Sequence, residues 1–97
     1  MIRHVVLLKW NEGVDEGHIA ATKAALDRLP SVIPEILSFP NGTDLRAVPA
    51  TWNYVVTADF ATIEDFFIYR EHPEHQKFVA AYLTDHCQRV AAQFNLD

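Results

Sequence analysis

The order of strand-like and helix-like segments is the strongest constraint on the fold of this 97-residue sequence. Short β-branched runs and alternating patterns predict strands, whereas apolar residues at every third or fourth position predict helices. The predicted strands cover residues 2–10, 36–39, 52–60 and 88–96, and the predicted helices begin near Asp15 and Thr62. This order is the split βαβ arrangement. We therefore predict an α+β, ferredoxin-like βαββαβ fold, with a four-stranded antiparallel sheet and both helices on one face, as a single domain over residues 1–97.

Prolines mark the ends of the segments in the first half of the chain. The first helix is expected to run from Asp15 to about Leu29, because Pro30 and Pro34 follow and proline disfavours a continuing helix. The strand over residues 36–39 is expected to stop at a bend formed by Pro40-Asn-Gly42. A proline at the end of a strand is typical of a sheet edge, so this strand is predicted to lie at one.

In the second half, a polar loop over residues 44–51 leads into the clearest strand, which starts at Trp52. Thr62 and Asp65 then form a Ser/Thr-x-x-acid pattern, which is typical of a helix start. The helix that follows is expected to bury four apolar or aromatic side chains: Ile63, Phe66, Phe67 and Tyr69.

The two faces of the predicted sheet differ in what covers them. The helices are expected to cover the face that contains His4, Tyr54 and Val90. The opposite face would carry an apolar set, Val5, Leu7, Leu37, Phe39, Val55 and Ala91, together with the polar Asn53, Thr57, Arg89 and Gln93. An exposed apolar patch of that size is unusual for a monomer. We therefore predict a homodimer in which a second copy covers the open face around a two-fold axis.

Composition excludes several classes of partner. The formal charge of −5, with eight scattered basic residues, argues against nucleic-acid binding, which needs clustered Lys and Arg. No apolar run approaches the length that crosses a membrane, and the N-terminal run is too short for a signal sequence. The single Cys87 excludes an internal disulfide framework and fits a reducing compartment. The expected location is the cytoplasm.

The segment Tyr69–Phe78 contains the densest group of proton-carrying side chains. Pro73 fits the first position of a helix but not its interior, so one helix should end near Arg70 and another begin at Pro73, with His72 near the cap. Apolar residues follow His75 at helical intervals, which places His75 on the inward face. An inward imidazole in the first turn of a helix is the best functional indication in this sequence.

Two motifs make the chain resemble a known family. The opening Ile2-Arg-His-Val-Val-Leu-Leu-Lys-Trp10 and the later Tyr69-Arg-Glu-His-Pro-Glu-His-Gln-Lys-Phe78, in this element order, are similar to those of the stress-responsive dimeric α/β-barrel (Dabb) proteins. The resemblance covers nearly the whole chain and implies a dimeric α/β barrel. The family includes plant stress proteins, bacterial proteins without assigned roles, and olivetolic acid cyclase.

The cyclase closes a ring in a polyketide thioester by aldol-type chemistry, without a cofactor. The resemblance implies that its catalytic His and Tyr correspond to His75 and Tyr69, and that its strand-one His corresponds to His4. This sequence departs from the cyclase at other pocket positions, which are occupied here by Tyr54, Leu26, Thr22 and Lys23. Proton transfer is therefore the expected shared feature, and the substrate is expected to differ.

Each candidate residue has a structural alternative. His75 and Tyr69 either carry out proton transfer or bond each other and the backbone to hold the helix break in shape. His4 is either a core histidine with a polar partner or one that lines a pocket, because a buried imidazole needs a hydrogen-bond partner. The predicted pocket-lining residues are His4, Tyr54, Val56, Leu26, Phe78 and Tyr82.

We predict neither a metal site nor a cofactor. His72 and His75 supply only two ligands, whereas zinc normally needs three or four that converge. Cys87 is expected to be a small buried residue and not a nucleophile.

Two functions remain open from the sequence. One is a small homodimeric enzyme, in which His75 acts as general base on a carbonyl, polyketide-like substrate in a cyclisation or isomerisation. The other is a non-catalytic, stress-related or ligand-binding dimer that holds a small apolar or carbonyl-containing molecule. An open cavity in contact with His75, Tyr69 and His4 would favour the first.

Overall fold

Four antiparallel strands form one sheet in the computed structural model, which describes residues 1–49 and 52–97. The strands are β1 (Ile2–Trp10), β2 (Asn41–Thr43), β3 (Tyr54–Phe60) and β4 (Cys87–Asn95), in the spatial order β2-β3-β1-β4. The helices are α1 (Glu16–Val32), α2 (Ile63–Glu71) and α3 (Pro73–Phe78), and a π-helical segment (Val79–Leu83) follows α3. The predicted ferredoxin-like fold is confirmed. None of the helices in the described residues is long and apolar enough to cross a membrane.

Helix α1 continues past the proline that was expected to end it. The Asp15 carboxylate caps its start by accepting a hydrogen bond from the backbone N–H of His18 at 2.8 Å. Pro30 lies inside the last turn, and the N–H of Ile33 still donates to the carbonyl of Leu29 at 2.9 Å. Pro30 removes only one backbone hydrogen bond near the helix end. The burial of Leu29 and Ile33, at 5% and 0% exposed, favours one more turn.

The edge strand forms later in the chain than predicted. Residues 36–39 run beside β3 but contribute only an isolated bridge from Ser38 to Asp59, and the regular ladder begins at Asn41. Pro40 has no N–H to donate, and its carbonyl accepts from Thr57 N at 2.9 Å, so the proline interrupts the ladder. The predicted bend is therefore strand β2, and its edge position is confirmed. Two residues of the predicted polar loop, 50 and 51, lie outside the described residues.

The helix break at Pro73 is confirmed. His72 has an extended backbone, with φ −62° and ψ 134°, and Pro73 takes the first position of α3. The Nδ1 atom of His72 accepts from Glu74 N at 3.0 Å and so caps α3. The break turns α3 relative to α2 and brings His75 back toward the sheet.

Thr62 caps α2 as its sequence pattern predicted. Its hydroxyl accepts a hydrogen bond from the N–H of Asp65 at 3.2 Å. Replacing Thr62 by alanine removes this bond and should lower the free energy of unfolding by about 1 kcal/mol. Thr62→Ser, which keeps the oxygen, is the control in a urea titration. An equal loss in both variants would show that the hydroxyl contributes nothing.

The register of β4 reverses the predicted faces of that strand. Val90 is opposite Leu7, whereas Arg89 is opposite Leu8 and Gln93 is opposite His4. Residues directly opposite each other in an antiparallel pair share a face. Val90 therefore lies on the open face, and Arg89, Ala91 and Gln93 lie on the helix face. The prediction was wrong because the more apolar alternating set of β4 was assigned to the core.

The helices pack against one face of the sheet and form the core there, but part of α2 remains exposed. Leu8, Tyr54 and Phe60 are at most 1% exposed, and Phe66 and Tyr69 are also buried. Ile63 and Phe67, which were expected to be buried, are 40% and 45% exposed. Both residues line an open cavity, which leaves their side chains accessible to solvent.

Candidate active site

A cavity of about 570 Å³ opens between the sheet and the α2–α3 pair. Its apolar walls come from β1, β3, α1, α2 and α3. They include Val6, Leu8, Leu26, Val56, Phe66 and Phe78. Its polar groups belong to Tyr69, Arg70, His75, His4, Arg89 and Gln93. A mostly apolar pocket with a few convergent polar groups is typical of a small-molecule site.

His75 projects into this cavity from the first turn of α3. Its Nδ1 atom lies 3.0 Å from the carbonyl oxygen of Arg70. Because a carbonyl oxygen only accepts hydrogen bonds, Nδ1 carries the proton of the neutral ring and Nε2 carries the lone pair. No hydrogen bond to Nε2 occurs within residues 1–49 and 52–97. The ring therefore presents an available proton acceptor.

Burial lowers the pKa of His75 below its ordinary value of 6.5. The hydrogen bond to the Arg70 carbonyl raises the pKa, whereas the nearby positive charges of Arg89, Arg70 and His72 lower it further. The net direction is downward, so the ring stays neutral at neutral pH. A neutral imidazole is the form that can accept a proton from a substrate.

His4 presents a hydrogen-bond donor, whereas His75 presents a proton acceptor. The side-chain amide nitrogen of Gln93 donates to Nδ1 of His4 at 2.9 Å. An amide N–H only donates, so Nδ1 holds the lone pair and the proton of the neutral ring is on Nε2. Burial lowers the pKa of His4 to about 4, and the charges of Arg70 and of His75, when that ring is protonated, act in the same direction. His4 is therefore a neutral hydrogen-bond donor.

Tyr69 packs beside both histidines. Its ring centroid is 4.3 Å from that of His75 and 6.1 Å from that of His4. Burial raises the pKa of Tyr69, so its hydroxyl remains protonated. In the described residues, the only fully buried side-chain polar atoms without a partner belong to Trp10 and His86. The Tyr69 hydroxyl makes no hydrogen bond within residues 1–49 and 52–97 and is not one of those buried atoms, so it is open to the cavity that Tyr69 lines.

The predicted pocket residues divide into two groups. His4, Leu26, Val56 and Phe78 line the cavity. Tyr54 and Tyr82 lie away from it.

Tyr54 and Tyr82 are each held by another partner. The Tyr54 hydroxyl donates to the Asn41 side chain at the sheet edge, and burial raises the pKa of Tyr54 to about 12. The Tyr82 ring stacks on Phe78, with centroids 5.4 Å apart, and the Tyr82 carbonyl contacts the His18 ring at 2.9 Å. The widened π-helical turn shifts Tyr82 from the face that regular α-helical spacing predicts.

Sequence reasoning did not identify Arg70, Arg89 and Gln93 as site residues. Arg70 was expected only to mark the end of a helix, and Arg89 and Gln93 were expected on the opposite sheet face. The pairing of β4 with β1 could have located Arg89 and Gln93 only if the register had been known. These two residues contribute to the cavity because of that register.

The histidines at the helix break do not converge on a common point. His72 is occupied by the cap of α3, whereas His75 faces the cavity. Among the described residues, no group of three or more His, Cys, Asp or Glu side chains could hold a metal ion. Burial raises the pKa of the Cys87 thiol, which disfavours the thiolate form.

Comparison with known proteins identifies the family. The sequence profile of the stress responsive A/B barrel domain matches residues 2–96. The chain is 30% identical over 84 residues to the uncharacterized protein SCO4036 of Streptomyces coelicolor, a match that covers 84% of this chain and 87% of that protein.

Two solved structures show the same fold. A dimeric ferredoxin-like protein of unknown function from Thermobifida fusca is 33% identical, with a TM-score of 0.90 over 98% of this chain and 90% of that one. The hydroxynitrile lyase of Passiflora edulis is 20% identical, with a TM-score of 0.86 over 99% of this chain and 93% of that one. At that identity the second likeness concerns the fold alone. With the family profile matched over nearly its full length, the chain belongs to the stress responsive A/B barrel domain family.

Proposed function

We propose that this protein is a cofactor-independent enzyme that removes a proton from carbon next to a carbonyl group. One observation carries the proposal: two neutral imidazoles of opposite tautomer line the same apolar cavity. His75 offers a lone pair at Nε2, and His4 offers an N–H at its own Nε2. Enolate formation needs one group of each kind, a base for the carbon-bound proton and a donor for the developing oxyanion.

The proposed step moves one proton and one electron pair. Nε2 of His75 takes the proton, and the electrons of the broken C–H bond form the C=C bond of an enolate. The oxygen of that enolate accepts a hydrogen bond from His4. Tyr69 is close enough to His75 to orient the ring or to donate to the same oxygen. Return of the proton from His75 to another carbon gives isomerisation, and its return to an alkoxide after attack on a second carbonyl gives cyclisation.

The walls of the cavity favour a substrate with an apolar body. Leu26, Val56 and Phe78 offer hydrocarbon surface beside the histidines. A polyketide-like chain has both the acidic C–H bonds and the apolar length that this arrangement suits. The lyase activity named for the Passiflora edulis protein adds weight to general acid-base chemistry on this fold, although the low identity carries no residue assignment.

Deuterium exchange tests the proposal without knowledge of the natural substrate. A panel of alkyl and aryl ketones is incubated with the protein in D₂O, and loss of the α-proton signals is followed by ¹H NMR. We expect exchange faster than in buffer for at least one apolar ketone. Buffer-level exchange across the panel, with ligands bound in the cavity, would favour the alternative of a non-catalytic binding dimer.

The open sheet face supports a homodimer. We propose separately that the protein is located in the cytoplasm. This face carries Val5, Leu7, Val55, Val90, Ala92 and Phe94. Val90 and Phe94 are 47% and 51% exposed. The charged pair at its end is neutralised, because Arg3 contacts both carboxylate oxygens of Asp59 at 2.8 and 2.9 Å. The Thermobifida fusca relative is a dimer, which is consistent with a second copy on this face.

Replacing Phe94 by aspartate should weaken the dimer. A carboxylate in an apolar interface loses its hydration, and we expect the dissociation constant to rise at least about 30-fold. Phe67→Asp is the matched control, because Phe67 is 45% exposed on the helix side. Sedimentation velocity over a concentration series measures both variants. Equal effects of the two substitutions would place the interface elsewhere.

A further inference from the structure

The cavity has an unusual charge balance for an acidic chain. The protein carries 13 acidic and eight basic residues, with a formal charge of −5. The cavity wall nevertheless includes two of those basic residues, Arg70 and Arg89, and no aspartate or glutamate among the described residues that form it. With both histidines neutral, the cavity has a net positive charge.

Neither guanidinium group has a protein partner in the described part of the chain. The ion pairs within residues 1–49 and 52–97 involve the N-terminus, Arg3, Lys23 and Lys77, and no side-chain hydrogen bond from Arg70 or Arg89 occurs there. Arg3, in contrast, is engaged by Asp59 through two hydrogen bonds. Arginines that line a pocket and lack a carboxylate partner are free to bind a ligand.

Arg70 and Arg89 reach the cavity from different elements. Arg70 belongs to the last turn of α2, and Arg89 lies on β4 opposite Leu8. Both positive charges act on His75 and lower its pKa, so both are near the ring that serves as the base. Both residues are also exposed, so their charges lie where the cavity meets solvent.

We infer that the ligand of this cavity is an apolar molecule that carries an oxyanion, held by Arg89 and Arg70. The planar guanidinium matches the two oxygens of a carboxylate or phosphate, and a charged hydrogen bond of this kind is stronger than a neutral one. The apolar part would contact Leu26, Val56 and Phe78. This inference rests on the proposed function, since it specifies the substrate class of the same site. The oxyanion is either the carboxylate of a free acid or the phosphate of a carrier.

Anion binding would also change the base. The positive charges of Arg70 and Arg89 lower the pKa of His75 in the empty cavity. A bound oxyanion opposes those charges, so the pKa of His75 should rise when the ligand binds. The substrate would thereby strengthen the base that acts on it. This upward shift provides a readout that does not depend on turnover.

Matched ten-carbon ligands test the inference on the full chain. Decanoate, decyl phosphate, decanamide and decylamine differ in head group at nearly constant apolar length, and calorimetry measures their affinities. We expect at least one of the two anions to bind about ten- to a hundredfold more tightly than the amide. Whichever anion binds more tightly identifies the source of the oxyanion. Amide binding as tight as that of both anions would overturn the inference.

Substitutions locate the anion contact. Arg89→Gln should remove most of the preference for the anion over decanamide, and Arg70→Gln should reduce it. Arg28→Gln is the control, because Arg28 is exposed on α1 and lies outside the cavity. Equal effects of Arg89→Gln and Arg28→Gln would overturn the assignment. ¹H NMR titration of the His75 ring should show a higher pKa with the bound anion, and an unchanged or lower pKa would contradict it.

The proposed function and this inference can fail separately. Preferred anion binding without ketone exchange would refute the enzymatic proposal and leave the anion site in place. Ketone exchange without any preference for anions would refute the anion site and leave His75 as the base.

Discussion

His75→Asn is expected to lower the rate of ketone α-proton exchange by about 10²–10⁴-fold, the usual contribution of a general base. Asparagine suits this test because its amide N–H can replace Nδ1 of His75. The bond to the Arg70 carbonyl, now 3.0 Å long, would therefore be kept. The lone pair at Nε2 would be lost. The substitution thus separates the base from the hydrogen bond that holds the helix break.

His72→Asn is the matched control three positions earlier. Its side-chain oxygen can accept from Glu74 N, as Nδ1 of His72 does at 3.0 Å, so the cap of α3 is kept. We expect exchange by this variant to stay at the wild-type rate. If His75→Asn also kept that rate while remaining folded, His75 would be a structural residue of the break. The pH-rate profile adds a second check, because a base with a lowered pKa should stay active below pH 6.5.

The helix break shows what local sequence can predict. Pro73 cannot occupy a helix interior, and the side chains after it repeat at helical intervals. These constraints act within ten residues, so both the break and the inward direction of His75 could be predicted from the sequence. The same holds for the Thr62 cap, whose signal spans four residues.

Strand β4 shows where local reasoning ends. Its two alternating sets both contain apolar residues, so periodicity alone leaves the choice of face open. The pairing of Leu8 with Arg89 decides it, and that pairing joins positions far apart in the sequence. The apolar set of Val90 and Phe94 looked like core because the prediction assumed that apolar residues face the helices. The proposed homodimer would explain the difference, because a second copy on the open face would bury apolar residues there as well.

The polar part of the site depends on the same long-range pairing. The bond from Gln93 to His4 fixes the tautomer of His4, and it exists because β4 places Gln93 opposite that ring. The sequence indicated a buried His4 that needed a partner, but Gln93 was not among the candidates. Resemblance to the family likewise pointed to His75 and Tyr69, but not to the arginines. The candidate pair His75 and Tyr69 follows from a motif, whereas the neighbouring Gln93 and Arg89 follow from the sheet register.

Acid should destabilise the fold through His4. Its pKa is about 4 in the folded protein and 6.5 ordinarily, so between these values the unfolded chain binds a proton that the folded protein excludes. Stability is therefore fully present above pH 6.5 and falls as the pH drops toward 4. The difference corresponds to about 3 kcal/mol, since one pKa unit is about 1.4 kcal/mol. Typical domains have only about 5–15 kcal/mol in total.

Urea titrations between pH 4 and pH 7 measure this loss. His4→Gln removes the titrating ring, so its unfolding free energy should vary less with pH than that of the wild type. His75→Asn, which removes the other histidine with a lowered pKa, should keep the part of the slope that His4 contributes. Asp59 does not interfere, because Arg3 lowers its pKa below 3.8 and its contribution to stability is lost only at more acidic pH. Parallel curves for the wild type and His4→Gln would mean that His4 accepts a proton in the folded protein as readily as in the unfolded chain. In that case His4 could not serve as the neutral donor that the proposed chemistry requires.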